Sequence, residues 1–139
     1  MATQRLSSEK LGPCELPLTP QLTVIVVDDD RSMRRALRVQ LRLCGFKLLV
    51  FNSAERLLAS RFPTKNACLL LDIYMPGIGG VELCGILAAR GRQMPTVLMS
   101  GRDDEETRRL AKAKRLPCLF KPFGQTALLR AIQKAMRCT

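Results

Sequence analysis

Five short apolar runs, each followed by an amphipathic stretch, constrain the fold of this chain more than any other feature of its sequence. The runs are rich in Val, Leu and Ile and too short for buried helices, which is typical of strands covered on both faces. We predict strands at LTVIVV (22–27), KLLVF (47–51), ACLLLDI (67–73), PTVLMS (95–100) and PCLF (117–120). Repeated strand–helix units of this kind predict an α/β domain in which helices cover both faces of a parallel sheet.

The segments between the predicted strands have the apolar spacing of helices and recognisable ends. The range 32–44 repeats apolar side chains along one side and is followed by Gly45, a typical helix stop. Asn52 and Glu55 resemble a capping box that opens a short helix running through Ala59. The remaining predicted helices run from Val81 to a stop at Gly91, from the acidic cluster at 103–106 onwards, and from Ala127 to Met136.

The length of the chain and its apolar pattern predict one domain. The 139 residues are enough for a single hydrophobic core. Residues 1–20 hold three prolines and no sustained periodicity, so we interpret them as a flexible leader to a domain at 21–139. No apolar run approaches the roughly 20 residues of a membrane helix, and the N-terminus lacks the apolar stretch of a signal peptide. We therefore expect a cytoplasmic protein with no membrane partner.

The histidine and cysteine content excludes several kinds of chemistry. Histidine is absent, which excludes Ser/His/Asp triads, zinc sites that contain histidine, and a self-phosphorylating histidine. The six cysteines form no CxxC pair, and most lie inside apolar runs. We predict buried, reduced thiols rather than a zinc site or a disulfide framework. Any chemistry must therefore rely on carboxylates, hydroxyls, lysine and the backbone.

One set of polar residues stands where the predicted strands end. These residues are Asp28 and Asp29 after the first strand, Asp72 in the third, Ser100 in the fourth and Lys121 after the fifth. In parallel sheets these ends meet at one edge, where ligands bind. Converging carboxylates would repel one another without a cation, and hard oxygen ligands with room for water favour Mg²⁺. A carboxylate there can also accept a phosphoryl group, with a hydroxyl and an ammonium group binding its oxygens.

Four motifs resemble, in this order and over residues 22–137, the response-regulator receivers of two-component signalling. They are DDxxxMRRxLxxxLxxxGF, LLLDIYMPGIGG, LMSG and FKPF. The resemblance implies a flavodoxin-like, doubly wound domain with five parallel strands in the order 2-1-3-4-5. It also implies a protein that accepts a phosphoryl group from a histidine kinase or a histidine phosphotransfer protein and signals through protein contacts. Such a receiver is not an enzyme that turns over an independent substrate, and the sequence does not name its downstream protein target.

The resemblance assigns the metal and the phosphoryl group to particular residues. Asp72 would be the phosphoacceptor and a ligand of Mg²⁺. Asp28 and Asp29 would also hold the metal, one directly and one through water, together with the backbone carbonyl of Tyr74.

Further residues of the same edge receive supporting roles from the resemblance. Ser100 would donate a hydrogen bond to a phosphoryl oxygen and Lys121 would pair with another, while the Lys121–Pro122 peptide bond would be cis. Asp30 is interpreted as a helix cap before Ser32 in preference to a further metal ligand.

The sequence departs from the receiver pattern on the side that normally signals to partners. Cys118 stands where receivers carry Tyr or Phe, a ring that swings inward on phosphorylation. The interval from Ser100 to Lys121 is a residue shorter than usual, and Arg115-Leu116 replaces a common Gly-Ala. We therefore expect Ser100 and Cys118, the switch positions, to couple phosphorylation only weakly to the face formed by the last two strands and the last helix.

The positive charge leaves alternatives open. The net charge is +11, and the arginines of the first predicted helix, at 31, 34, 35, 38 and 42, lie at helical spacing. They form either a solvated face or a docking surface for an acidic partner, since the first helix of receivers often touches the histidine-bearing donor.

Because only one helix follows the last motif, we expect a stand-alone receiver. The alternatives are a degenerate receiver that only binds proteins, which Cys118 favours, and a basic nucleic-acid-binding protein on the same fold.

Overall fold

Five parallel strands form a sheet in the order β2-β1-β3-β4-β5 in the computed structural model, which describes residues 22–137. The strands are β1 (Thr23–Val27), β2 (Lys47–Phe51), β3 (Ala67–Asp72), β4 (Thr96–Ser100) and β5 (Cys118–Phe120). This is the doubly wound order that was predicted, and each predicted strand is confirmed to within a residue at either end. The leader predicted over 1–20 lies outside the described residues.

Helices cover both faces of the sheet, as predicted. One face carries α1 (Arg31–Leu43) and α5 (Gln125–Arg137), and the other carries α2 (Ala54–Leu58), α3 (Gly80–Ala89) and α4 (Glu105–Lys114). Alternate residues of β1 enter two separate cores: Val24 and Val26 pack with α1 and α5, whereas Ile25 and Val27 pack beneath α2 and α3. Because both faces of the strands are buried, their sequences are continuously apolar.

The helix ends confirm two sequence predictions. The side chain of Asp30 caps α1 by accepting a hydrogen bond from the Ser32 N–H at 2.9 Å, as predicted. Gly45 has a φ of 86° directly after the end of α1, a conformation in which a side chain is unfavourable.

The predicted capping box at Asn52 and Glu55 is wrong by one residue. Ser53 is the N-cap of α2, and its hydroxyl accepts a hydrogen bond from the Arg56 N–H at 3.1 Å. Glu55 is therefore the second residue of the helix and not the third, the position from which a side chain reaches back to the cap. Its carboxylate instead accepts a hydrogen bond from the Ile78 N–H at 3.1 Å, in the loop between β3 and α3.

The predicted burial of the cysteines is confirmed only in part. Of those described, Cys68 is fully buried in β3, whereas Cys44, Cys84 and Cys118 are half-buried, and Cys68, Cys84 and Cys118 are free thiols. The half-buried ones lie at a helix end, on a helix and in the short edge strand β5, where packing is incomplete. Burial raises the pKa of the Cys68 thiol to about 12. The other two cysteines lie outside the described residues.

Gly80 brings the start of α3 against the end of β3. A Cβ atom at this position would lie 2.4 Å from the Asp72 carbonyl oxygen and 2.9 Å from the Ile73 Cα, so no side chain fits. The Gly80 N–H donates a hydrogen bond to the Ile73 carbonyl at 2.9 Å. The chain that leaves β3 is thus folded back tightly beside Asp72.

A carboxylate and lysine cluster at the sheet edge

Side chains from three strand ends meet at the carboxyl edge of the sheet. Asp28 follows β1 and is fully buried, Asp72 is the last residue of β3 and is 5% exposed, and Lys121 follows β5. The Lys121 ammonium nitrogen lies 2.8 Å from Asp28 Oδ2 and 3.6 Å from Asp72 Oδ2. The lysine side chain therefore crosses the end of β4 and one ammonium group pairs with two carboxylates.

The backbone around Asp28 holds its carboxylate in place. Its Oδ1 accepts a hydrogen bond from the Asp30 N–H at 2.9 Å, and its carbonyl accepts one from the Arg34 guanidinium at 2.9 Å. Its Oδ2 is buried and, apart from the ionic contact with Lys121, has no hydrogen-bond partner among the described residues. A buried carboxylate oxygen with spare acceptor capacity is suited to a cation.

Three carboxylates of this edge could hold a metal ion. Asp28, Asp29 and Asp72 each offer an oxygen, and these atoms lie within 4.8 Å of one another. Asp29 is exposed while the other two are buried, so the set has one side open to solvent. Hard oxygen ligands with room for water fit Mg²⁺, which keeps several of its waters in proteins. Tyr74, whose carbonyl is the further predicted ligand, lies in the loop two residues after Asp72.

The environment of Asp72 raises its pKa. Burial is the largest cause, followed by the negative charge of Asp28, and together they outweigh the lowering effect of Lys121, so the pKa of Asp72 rises to about 7. For Lys121, burial alone would lower the pKa of the ammonium group, but contact with Asp28 and the nearby carboxylate charges raise it. The repulsion between converging carboxylates, which the sequence indicated, thus contributes to the raised pKa of Asp72.

Ser100 is fully buried at the end of β4, and its hydroxyl is held by its own loop. The hydroxyl donates to the Arg102 carbonyl at 3.0 Å and accepts from the Arg102 N–H at 2.9 Å. The Ser100 carbonyl accepts from the Lys121 N–H at 2.8 Å, which joins the ends of β4 and β5. The Lys121–Pro122 peptide bond is cis, as the resemblance implied.

Cys118, the second predicted switch position, lies below Ser100 in the sheet. It pairs with Leu98 in the register of β4 and β5, while Ser100 pairs with Phe120. Its side chain is half-buried on the face covered by α2, α3 and α4, and burial raises the pKa of its thiol to about 11.

The sequence did not predict a contact that joins α4 to the loop following β3. The Tyr74 hydroxyl lies 2.7 Å from the Thr107 hydroxyl oxygen, and the Arg102 guanidinium lies over the Tyr74 ring, 4.2 Å from its centre. Arg102 also pairs with Asp104 at 2.9 Å and Glu106 at 3.3 Å. The one available sequence signal was that Tyr74 is the only tyrosine of the chain.

The arginine stripe predicted on α1 is confirmed except at Arg34. Arg34 is half-buried and turns to the Asp28 carbonyl, because it lies one turn into a helix that starts at the sheet edge. The remaining arginines of the stripe, at 31, 35, 38 and 42, are exposed. Val39 and Leu43 lie among them, with 60% and 75% of their surface exposed. The exposed face of α1 is therefore basic with an apolar strip.

Comparisons with known proteins point to one family. A family model described as the response regulator receiver domain matches residues 24–133. Nodulation protein W of Bradyrhizobium diazoefficiens is 36% identical over 113 residues, which cover 81% of this chain and 50% of that protein. The transcriptional regulatory protein FixJ of Azorhizobium caulinodans is 34% identical over 119 residues, which cover 83% of this chain and 55% of that protein.

Solved structures show the same similarity. The crystal structure of FixJ-N is 32% identical with a TM-score of 0.76 and is matched over 86% of this chain and 96% of its own. The structure of response regulator StyR is 40% identical with a TM-score of 0.74, over 85% of this chain and 60% of its own. The chain spans about half the length of the curated relatives it matches. Among residues 22–137, no helix has the length and apolar character needed to cross a membrane.

Proposed function

Because the chain belongs to the response regulator receiver domain family, we propose that it accepts a phosphoryl group on Asp72 in a reaction that requires Mg²⁺. The observation that carries the proposal is the meeting of Asp28, Asp72 and Lys121 at one sheet edge, with a single ammonium group shared by two carboxylates. The chain would act on itself as a regulator and would turn over no independent substrate.

Each residue of the cluster has a chemical task in this proposal. An Asp72 carboxylate oxygen bonds to the phosphorus atom, and the bond from phosphorus to the donor nitrogen or oxygen breaks, so that an acyl phosphate forms. The raised pKa keeps the Lys121 ammonium protonated and able to pair with a phosphoryl oxygen. Ser100 would donate a hydrogen bond from its hydroxyl to another phosphoryl oxygen. Mg²⁺, held by Asp28, Asp29, Asp72 and the Tyr74 carbonyl, would supply charge neutralisation when bound.

Acetyl phosphate tests the proposal without a protein partner. With Mg²⁺ present, incubation of the chain with acetyl phosphate should add the mass of one phosphoryl group, and EDTA should prevent the addition. Intact-mass spectrometry provides the measurement, and hydroxylamine, which cleaves acyl phosphates, should remove the added mass. A folded protein that gains no mass in Mg²⁺ would contradict the proposal and favour the degenerate receiver, whose carboxylates serve only the structure.

Mg²⁺ is expected to stabilise the folded protein by binding at a site that includes Asp29. At ten times its dissociation constant, a ligand that binds only the folded state adds about 1.4 kcal/mol of stability. The Asp29→Ala variant should lose this response, because it removes the exposed carboxylate from the set of three. The matched control Asp103→Ala, which removes an exposed carboxylate paired with Arg108 at 2.6 Å, should keep it. Thermal unfolding in a series of Mg²⁺ concentrations is the measurement, and a full shift in Asp29→Ala would contradict this metal site.

The exposed face of α1 supports a proposal for the phosphodonor. Arg35, Arg38 and Arg42 surround Val39, which gives a basic surface with an apolar centre. Such a surface fits an acidic, partly apolar face of a histidine kinase or a histidine phosphotransfer protein. The electrostatic attraction between the two faces would act over a shorter range as the salt concentration rises. A cytoplasmic location stays a prediction from the sequence.

A further inference from the structure

The Ser100 hydroxyl cannot donate to a phosphoryl group without releasing its loop. A serine hydroxyl has one proton, and here that proton is donated to the Arg102 carbonyl at 3.0 Å. The Arg102 N–H donates back to the same hydroxyl at 2.9 Å. A turn of Ser100 towards Asp72 therefore breaks both bonds and frees the backbone of Arg102.

The side chain of Arg102 ties this backbone to the loop that follows Asp72. Its guanidinium stacks on the Tyr74 ring at 4.2 Å from the ring centre. The Tyr74 hydroxyl in turn shares a hydrogen bond of 2.7 Å with the hydroxyl of Thr107, a fully buried residue in the first turn of α4. Tyr74 thus contacts Arg102, in the loop that Ser100 would release, and it also contacts α4, the helix that follows this loop.

The side chain of Cys118 is too small to connect the phosphorylation site to α4 in the same way. Its side chain is half-buried on the face covered by α2, α3 and α4, and it pairs with Leu98, two positions before the pair formed by Ser100 and Phe120. A thiol fills little volume, so a move of Ser100 creates no large side-chain displacement at this place. Tyr74, in the loop after β3, instead places an aromatic ring in direct contact with both Arg102 and the first turn of α4.

From these contacts we propose that Tyr74 is the residue that couples the phosphorylation site to α4 in this chain, through Thr107 and Arg102. The inference rests on the proposed phosphorylation of Asp72. When Ser100 turns to the phosphoryl group, the guanidinium of Arg102 leaves the ring, and Tyr74 and the first turn of α4 repack together. The exposed side chains of α4, which include Glu105, Arg109 and Lys112, then form the surface that a downstream protein would recognise.

The response of α4 to beryllofluoride and Mg²⁺ tests the coupling. Beryllofluoride stands in for the phosphoryl group, and amide chemical shifts over 103–112 report the state of the helix. In Thr107→Val, which keeps the shape and loses the hydroxyl, the shift changes should fall below about half of the wild-type values, whereas Thr107→Ser should retain them. The matched control Arg108→Ala, which removes an arginine 5.9 Å from the Phe120 ring, should behave as wild type.

Two further readouts separate this proposal from the phosphorylation itself. Tyr74 is the only tyrosine and the chain has no tryptophan, so the tyrosine emission comes from this ring alone. The emission should change on reaction with acetyl phosphate in the wild type and change little in Arg102→Ala, which removes a side chain that is 51% exposed. Thr107→Val should take up the phosphoryl group to the wild-type extent by intact mass.

The possible outcomes distinguish a failure of the proposed phosphorylation from a failure of the proposed coupling through Tyr74. No phosphoryl uptake by the wild type would overturn the proposed function. Full uptake with wild-type α4 shifts in Thr107→Val and a wild-type emission change in Arg102→Ala would overturn the coupling through Tyr74 alone. Larger shifts at 116–120 than at 103–112 would also overturn it, because the signal would then pass through β5.

Discussion

The Asp72→Asn variant is expected to lose phosphoryl uptake completely and, at the same time, to be more stable than the wild type without metal above pH 7. An amide cannot form the acyl phosphate, so acetyl phosphate should add no mass. The gain in stability comes from removing a carboxylate that is 5% exposed and lies beside the fully buried Asp28. A variant that loses phosphoryl uptake and gains stability would show that the residue serves the chemistry and not the fold.

The pH dependence of this gain follows from the pKa of Asp72. In the folded protein the pKa of Asp72 is raised to about 7, whereas the pKa of an Asp in the unfolded chain lies near its ordinary value of 3.8. Between these values the folded state holds a proton that the unfolded chain has released, so the stability of the wild type falls as the pH rises. The Asn side chain does not titrate. The advantage of the variant should therefore be small at pH 4, grow up to about pH 7 and then stay constant, at up to about 4 kcal/mol.

Urea unfolding in EDTA at several pH values measures this difference. The control Asp103→Asn changes an exposed carboxylate in an ion pair with Arg108 and should alter the stability by less than about 1 kcal/mol at every pH. A clearly lower stability of Asp72→Asn than of the wild type at pH 8 would contradict the account, since it would mean that the Lys121 contact outweighs the burial and repulsion of the carboxylate.

Lys121→Met is expected to be the most destabilising single change at the sheet edge. The lysine side chain is 17% exposed and supplies the positive charge next to Asp28, which has no exposed surface. Removing one partner of a buried pair leaves an uncompensated charge, which costs about 3 to 5 kcal/mol. The methionine keeps most of the apolar volume of the lysine stem, so the loss measures charge and not packing.

A double substitution shows whether the buried charge is the cause. Adding Asp28→Asn to Lys121→Met should restore more than about half of the lost stability, because the amide needs no counter-charge. Lys134→Met, at an exposed position of α5, is the matched control and should leave the midpoint of urea unfolding unchanged. Equal losses in Lys121→Met with and without Asp28→Asn would show that the pair is not the source of the stability.

The fold could be predicted because parallel sheets leave a strong pattern in the sequence. Strands buried on both faces are continuously apolar, and the carboxyl ends of all strands meet at one edge, so Asp28, Asp72 and Lys121 could be placed together without coordinates. The Asp30 cap and the Gly45 stop were also predictable, because each acts on neighbouring backbone.

The features that the sequence did not reveal depend on distances between separate elements. The contact of Tyr74 with Thr107 joins residues 33 positions apart, and no periodicity relates them. Glu55 fitted a local capping pattern but bonds Ile78, because Ser53 provides a better-placed hydroxyl one residue later. The direction of the Ser100 hydroxyl, towards Arg102, is likewise set by the loop geometry and not by residue type.

The position of the phosphorylated residue in the chain can be identified by a chemical label. After reaction with acetyl phosphate and Mg²⁺, borohydride reduces an aspartyl phosphate to homoserine, and trypsin then separates the candidate carboxylates. Cleavage after Lys65 and Arg90 releases a fragment in which Asp72 is the only aspartate, while Asp28, Asp29 and Asp30 lie in another fragment. We expect homoserine at position 72 and at no other position, and none in the presence of EDTA. Homoserine at position 28 or 29 with an unmodified Asp72 would contradict it.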